Sequence, residues 1–431
     1  MVMDLLDPLT ARGGLDSDVR RTMVDEVIDA VNREFPASLL RSPDSGEREQ
    51  VTVRIRSLVS GVFRSRALPP STAEQSALTD EIARRVMGLG FLDLLLPPAR
   101  TDLSEITIYS SGLVQVMKKG SVRWEDTGLS VDSSEVWRVL NLILGPQSRS
   151  VNEAVPSVNA KLLPTKHNPG GGRLKVLHPA IAPGSGYPSV NIRLFEQKPV
   201  RPEWLLERRV MSPEMMQVLE HAMQDGSRIL ICGATRTGKT TLLSALANFL
   251  PAPWRVVKIE DPEEIWIDRK TVQTVEARPK VPGSEVPPYT LADGVDDAMR
   301  MSPDYLILGE VRDGHAAMAL LRAMMTGHAG ACTLHADSPR EAFERLTTLM
   351  GSDKGVSPRD AARMIASSVD LLVQIGIVNE VRCVTSIASV DKKLKGGEAW
   401  FTPLWRYDET SPPDAPHWLK LEPPVEMEKS L

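Results

Sequence analysis

The stretch Ile229-Leu-Ile-Cys-Gly-Ala-Thr-Arg-Thr-Gly-Lys-Thr240 decides the reading of this chain. Its last eight residues, Gly233, Ala234, Thr235, Arg236, Thr237, Gly238, Lys239 and Thr240, satisfy the G-x-x-x-x-G-K-[ST] pattern at every fixed position. The apolar run Ile229 to Cys232 predicts a buried strand, and Leu242, Leu246, Phe249 and Leu250 recur at helical spacing behind the loop. Strand, glycine loop and helix in that order are what a phosphate-binding loop requires. Glycines let successive N–H groups converge on phosphates, and the helix N-terminus adds partial positive charge. Lys239 is expected to reach the β/γ oxygens, Thr240 to ligate Mg²⁺, and Thr241 to extend the nucleotide contacts. The motif implies that a nucleoside triphosphate, ATP, is bound.

Working outward, a hydrolase needs carboxylates beside such a loop. Tyr305-Leu-Ile-Leu-Gly-Glu310 reads as a strand delivering Glu310 at its C-terminal end, where open α/β sheets place their ligands. Gly309 stands where a Walker B aspartate is usual, so Glu310 is left to orient water. Val256-Val-Lys-Ile-Glu260-Asp261 is a second strand end, and Glu260 and Asp261 are candidates for the Mg²⁺ role, partly through water. His328 and His335 bracket the small-residue run Ala329 to Leu334, and both are expected to sense the γ-phosphate as neutral imidazoles.

From residue 210 onward strands and helices alternate, which predicts a parallel α/β sheet. Ahead of it, a helix over 15–35 carries Val24, Ile28 and Val31, the polar stretch Arg41 to Gln50 follows, and another helix is expected over 71–96. Strands are expected at Glu105 to Tyr109, Leu113 to Met117 and Val122 to Trp124, a helix over 133–144, then strands near 158–163, 173–178 and 189–195. The expected divisions are a helical extension (1–75), a small α/β domain (76–197), a linker (198–209), the ATPase domain (210–408) and a loosely ordered tail (409–431). Lys392-Lys-Leu-Lys395 reads as a hairpin turn.

Totals narrow the classes. The 431 residues are 42% hydrophobic and 25% charged with net charge −5, which argues against a basic nucleic-acid binder. Cys232, Cys332 and Cys383 lack C-x-x-C spacing, which predicts a reducing compartment and no zinc module. Met1-Val-Met-Asp4 has no basic n-region, and no apolar run approaches the length of about 18 residues that a span requires. No signal peptide and no membrane span are expected.

These motifs in this order resemble the type II/type IV secretion ATPase superfamily, most closely its Tad (Flp) pilus-assembly branch, over about residues 80 to 390. The phosphate loop is joined by the Asp box Ile259-Glu-Asp-Pro262, by Val275-Glu-Ala-Arg-Pro279, and by the Walker B segment Met301 to Arg312. The His box Thr326 to Pro339, and Leu89-Gly-Phe-Leu92, Val151-Asn-Glu-Ala154 and Gly172 through Phe195 in the first half, complete the likeness. The resemblance implies a RecA-like ATPase domain behind a smaller PAS-like α/β domain. It implies a homo-hexamer in which Arg173, Arg193 and Lys161 of one copy approach the nucleotide of the next. It also implies a cytoplasmic enzyme, peripheral at the inner membrane, that works on a platform protein for pilus assembly, retraction or secretion; the acidic balance and the absence of a basic run argue against a direct grip on nucleic acid.

Three positions depart from the family pattern. Lys161 replaces an arginine, Leu194 replaces the second of two adjacent arginines, and one residue fewer separates the two histidines, similar to the pilus-retraction branch. Two readings of other classes stay open. One is a DNA-handling conjugation ATPase or RecA-like helicase, and the other is a ring that binds nucleotide as a regulator.

Overall fold

The computed structural model describes residues 17–36, 39–40, 45–68, 72–121, 123–165, 168, 170–195, 200–280, 285–412 and 415–421. The chain divides into two units, Met1–Phe195 and Glu196–Leu431.

In the first unit, helices Ser17–Glu34, Ser45–Ser65 and Thr72–Met87 share a core of Met23, Val27, Val31, Ile55, Val59, Phe63, Leu78 and Ile82. The first helix is therefore packed against the other two. The second was missed because charged residues open it and its apolar positions, Val51, Ile55, Val59 and Val62, lie beyond the polar stretch. The third crosses the expected 75/76 boundary and stops at Met87, because Gly88 and a left-handed Gly90 (φ 59°) end it before a short 3₁₀ turn, Gly90–Leu94.

The rest of this unit is an antiparallel sheet of β1 (Leu103–Ile108), β2 (Val114–Lys118), β3 (Trp124–Asp126), β4 (Ser157–Leu162), β5 (Gly172–Leu177) and β6 (Ser189–Leu194). The strand order is β3-β2-β1-β6-β5-β4 among the described residues. Burial alternates along β4, β5 and β6, so one face packs into a core with helix Ser133–Leu144 and the other stays polar.

The second unit is built on β7 (Ile229–Gly233), β8 (Val256–Glu260), β9 (Val272–Glu276), β10 (Tyr305–Val311), β11 (Ala329–His335) and β12 (Leu371–Val378). These run parallel in the order β9-β8-β10-β11-β7-β12. Strands β13 (Val381–Lys395), β14 (Glu398–Tyr407) and β15 (Trp418–Lys420) then extend the sheet antiparallel. Along β7, Ile229 and Ile231 enter one core and Leu230 and Cys232 the other. A strand covered on both faces needs an unbroken apolar run, and β7 has one.

Two expected boundaries shift. Within 198–209, residues 202–207 form helix Pro202–Glu207, and Leu205 is buried in the second unit's core, so this part is no open linker. Within 409–431, Trp418 is buried and its indole donates to the Val384 carbonyl at 2.6 Å, so 418–420 is a strand. Residues 198–199, 413–414 and 422–431 of those two readings lie outside the described residues. The lysine cluster Lys392 to Lys395 is the end of strand β13 rather than the turn itself; the hairpin turn is the left-handed Gly396-Gly397 that follows it, with Lys395 paired to Glu398. No described helix is long and apolar enough to cross a membrane.

Arg228 and Asp370 fasten the start of β7 to the start of β12, through contacts of 2.8 and 2.7 Å, and Lys392 adds a third at 2.7 Å. Burial pushes the Asp370 carboxyl up, but the hydrogen bonds from Arg228 and Lys392 outweigh it and hold the pKa at about 2. The folded value lies below the unfolded one of about 3.9, so this stabilisation is full above that pH and fades as pH falls toward 2. Asp370→Asn is accordingly expected to lower the melting temperature at pH 7, with the gap from the parent closing on acidification. A gap that stays constant from pH 7 to 3 would count against this account.

Candidate active site

The phosphate loop leaves β7 at Gly233, where a side chain is impossible. A Cβ there would stand 2.2 Å from the Ile375 carbonyl oxygen and 2.8 Å from Thr237 Oγ1. Gly238, at φ 100°, is the N-cap of helix Lys239–Leu246 and needs the freedom only glycine has. Arg236 is left-handed too (φ 67°), a conformation that costs a non-glycine residue roughly 1–2 kcal/mol. Lys239 is 6% exposed, and its ammonium donates to the carbonyls of Gly233 (2.8 Å) and Ala234 (2.9 Å). Thr237 Oγ1 donates to Ala234 as well, while Thr240 and Thr241 lie half-buried in the first helical turn.

The sheet brings the catalytic candidates to the same edge. Strand β11 pairs with β7 so that His335 faces Gly233. Lys239 Nζ lies 2.9 Å from His335 Nδ1, and His335 Nε2 lies 2.8 Å from Glu310 Oε1. An ammonium can only donate, so Nδ1 accepts and the ring proton sits on Nε2, directed at the carboxylate. Burial first, then the charge of Lys239, holds the His335 pKa below its ordinary value, which keeps the ring neutral. The other Glu310 oxygen accepts from Arg312 Nε at 2.8 Å, and Arg312 also reaches Asp261 at 3.2 Å. Lys239, His335, Glu310, Arg312 and Asp261 thus form one continuous polar chain. Arg312 was not picked out from the sequence as a site residue, although it lies two positions beyond Glu310 in the Walker B segment.

Glu260 is 2% exposed, at the end of β8. Its Oε1 accepts from the backbone N–H groups of Glu264 (3.0 Å) and Ile265 (2.9 Å). Its Oε2 has no hydrogen bond and faces Lys258 Nζ at 3.3 Å. Burial raises this carboxyl to about 7 against the opposing pull of Lys258. A Cβ on Gly309 would lie 3.0 Å from Glu260 Cγ, so Glu260 fills the space that a longer residue at 309 would take. That oxygen already faces one cation, the Lys258 ammonium, so a metal ion would bind it in competition with the lysine.

His328 lies elsewhere. It sits at the opposite end of β11, where its Nδ1 approaches Thr326 Oγ1 (3.2 Å) and the Ala323 carbonyl (3.1 Å) at the end of helix Gly314–Met325. At about 3.3 Å rise per residue, the strand puts roughly 20 Å between the two histidines. The expectation that both sense phosphate in one site is corrected: His335 reaches the loop, and His328 closes a helix end. A run of seven residues read without its strand conformation did not reveal that separation.

In the first unit Lys161, Arg173 and Arg193 are register neighbours across β4, β5 and β6, with Glu105 next in the row. They occupy the sheet's polar face, on strands whose directly opposed side chains stand about 5 Å apart. Leu194 alternates to the other face and is buried in the core, so an arginine there would meet apolar side chains.

The family model described as type II/IV secretion system protein matches residues 165–400, more than half of the chain. The chain belongs to the type II/IV secretion ATPase superfamily. The chain is 31% identical over 269 residues to the uncharacterized protein MJ0900 of Methanocaldococcus jannaschii, covering 62% of the chain and 46% of that protein. It is 32% identical over 174 residues to the type IV secretion system protein VirB11 of Bartonella henselae, covering 39% of the chain and 48% of that protein. The chain thus spans less than half the length of each of these two relatives. The X-ray structure of the Legionella pneumophila ATPase DotB aligns with a TM-score of 0.49 at 20% identity, over 68% of this chain and 78% of that one.

Proposed function

We propose that this secretion ATPase hydrolyses ATP to drive pilus assembly, pilus retraction or secretion, as a homo-hexamer at the cytoplasmic face of an inner-membrane platform protein. The observation that carries the reading is the Lys239–His335–Glu310 chain beside the loop, because it links the phosphate-binding cation to the carboxylate that would orient water. The loop amides from Gly233 to Gly238 and the helix N-terminus receive the phosphates, and Lys239 exchanges its carbonyl partners for the β/γ oxygens. His335, released by that exchange, offers Nδ1 as an acceptor to the attacking water, and Glu310 accepts the water's proton. Thr240 and Glu260 would hold Mg²⁺, with Asp261 contributing through water, and the ion would neutralise phosphate charge.

The cationic row of Lys161, Arg173 and Arg193 is proposed to approach the nucleotide of a neighbouring copy. Guanidinium stays charged and grips phosphate through two N–H groups at once, so Lys161 keeps charge there without the fork. Hydrolysis would weaken that attraction, and relaxation passed around the ring would perform the work. The motifs in their order resemble the Tad pilus branch most closely, which favours that branch.

Arg193→Ala is expected to leave ATP binding within about threefold of the parent while lowering turnover by about tenfold or more. Mixing it with a Lys239→Ala variant tests the sharing of sites, because one mixed interface then holds an intact loop and an intact arginine. Recovery of part of the activity supports the reading. A mixture no more active than its components would show that each copy is self-sufficient or that the row has no such role.

A further inference from the structure

Strand β12 pairs with β7 through Leu371 to Gln374 and then runs past the end of it. Past that point, among the described residues, β12 pairs only with β13, where the register steps from Gln374–Ser386 to Ile375–Val384 and leaves Thr385 as the extra residue of a bulge in β13. Strand β12 turns back at Asn379 and Glu380, both left-handed (φ 49° and 66°), as a two-residue hairpin requires. The hairpin therefore stands beside the phosphate loop. The carbonyl of Ile375 closes on Gly233, and the side chains of Ile375 and Arg382 both lie 3.8 Å from where a Cβ on Gly238 would be. Arg382, opposite Ile377 at the start of β13, donates from Nε to the Arg236 carbonyl at 3.0 Å.

Arg236 holds a left-handed backbone without being glycine, and such a residue persists only where its surroundings over-determine it. The hydrogen bond from Arg382 is such a restraint, and it comes from a strand some 140 residues downstream. We propose that Arg382 is a positioning residue for nucleotide binding: it clamps the corner of the phosphate loop at Arg236 and so presets the shape that receives a polyphosphate. The proposal rests on the reading of this loop as the nucleotide site. Cations are also crowded here. Arg208 lies over the Trp204 ring at 4.6 Å, and burial, followed by the charge of Arg208, holds the Arg382 pKa below its usual value. A polyphosphate in the loop relieves that repulsion, so the clamp and the ligand reinforce each other.

The test uses the full chain with Mg²⁺ and a fluorescent ATP analogue, together with steady-state kinetics. Arg382→Met keeps the aliphatic stem against Gly238 and removes the donor. It is expected to raise Kd and KM about tenfold, with the loss falling on KM rather than on kcat. Arg382→Lys, which restores a donor, should bring Kd back to within about threefold of the parent. If Arg382→Met fails to fold by circular dichroism, Arg382→Leu, which also lacks a donor, takes its place under the same criteria. A Kd within twofold of the parent, or a fall in kcat at unchanged Kd, overturns the proposal. A parent chain that does not bind the analogue at all defeats the nucleotide reading instead, so the two failures are told apart.

Discussion

Replacing Lys239 with alanine is expected to lower ATP turnover by about 10²–10³-fold, the scale of losing one preorganised electrostatic partner of the transition state. The ammonium is buried and contacts two loop carbonyls and His335. Alanine removes the charge that would neutralise the phosphates, and it also leaves the Gly233 and Ala234 carbonyls without that donor. The His335 pKa should rise at the same time, because the Lys239 charge is the second cause that holds it down. Steady-state phosphate release, with circular dichroism as the folding control, measures the first effect. Histidine proton shifts followed against pH measure the second. Hydrolysis near the parental rate in a folded variant would remove this site from consideration.

Glu310→Gln should separate binding from chemistry. The amide keeps an oxygen for His335 Nε2 and nearly the same volume, but it cannot take a proton from water, and Arg312 keeps only its Asp261 partner among the two carboxylates it now bridges. ATP affinity is expected to stay within a few-fold of the parent, while turnover falls by about 10²–10⁴-fold, the usual contribution of a general base. The variant should therefore retain unhydrolysed ATP, which filter binding with labelled nucleotide reads directly. Equal turnover in the variant and the parent would rule out Glu310 as the water-orienting group.

Much of this arrangement is legible before folding, because short-range chemistry writes it. The glycine spacing, the apolar run of β7 and the helical period after Lys239 each follow from backbone and burial requirements satisfied within a few residues. Other expectations failed where long-range packing decides. Helix Ser45–Ser65 opens with charged residues and earns its place from two partner helices. Trp418 is anchored by a carbonyl of β13 that no tail composition reveals.

The sequence by itself determined the phosphate loop and a strand delivering Glu310, since each is encoded by neighbours along the chain. Only the tertiary structure decided which groups meet. Parallel pairing of β11 with β7 selects His335 over His328, and Glu260 fills the space beside Gly309. Arg312 and Arg382 reach the site from positions whose contacts are set by strand order. Side chains far apart in sequence become partners only when the register of a sheet fixes their separation, and one strand length is enough to take a histidine out of hydrogen-bonding range.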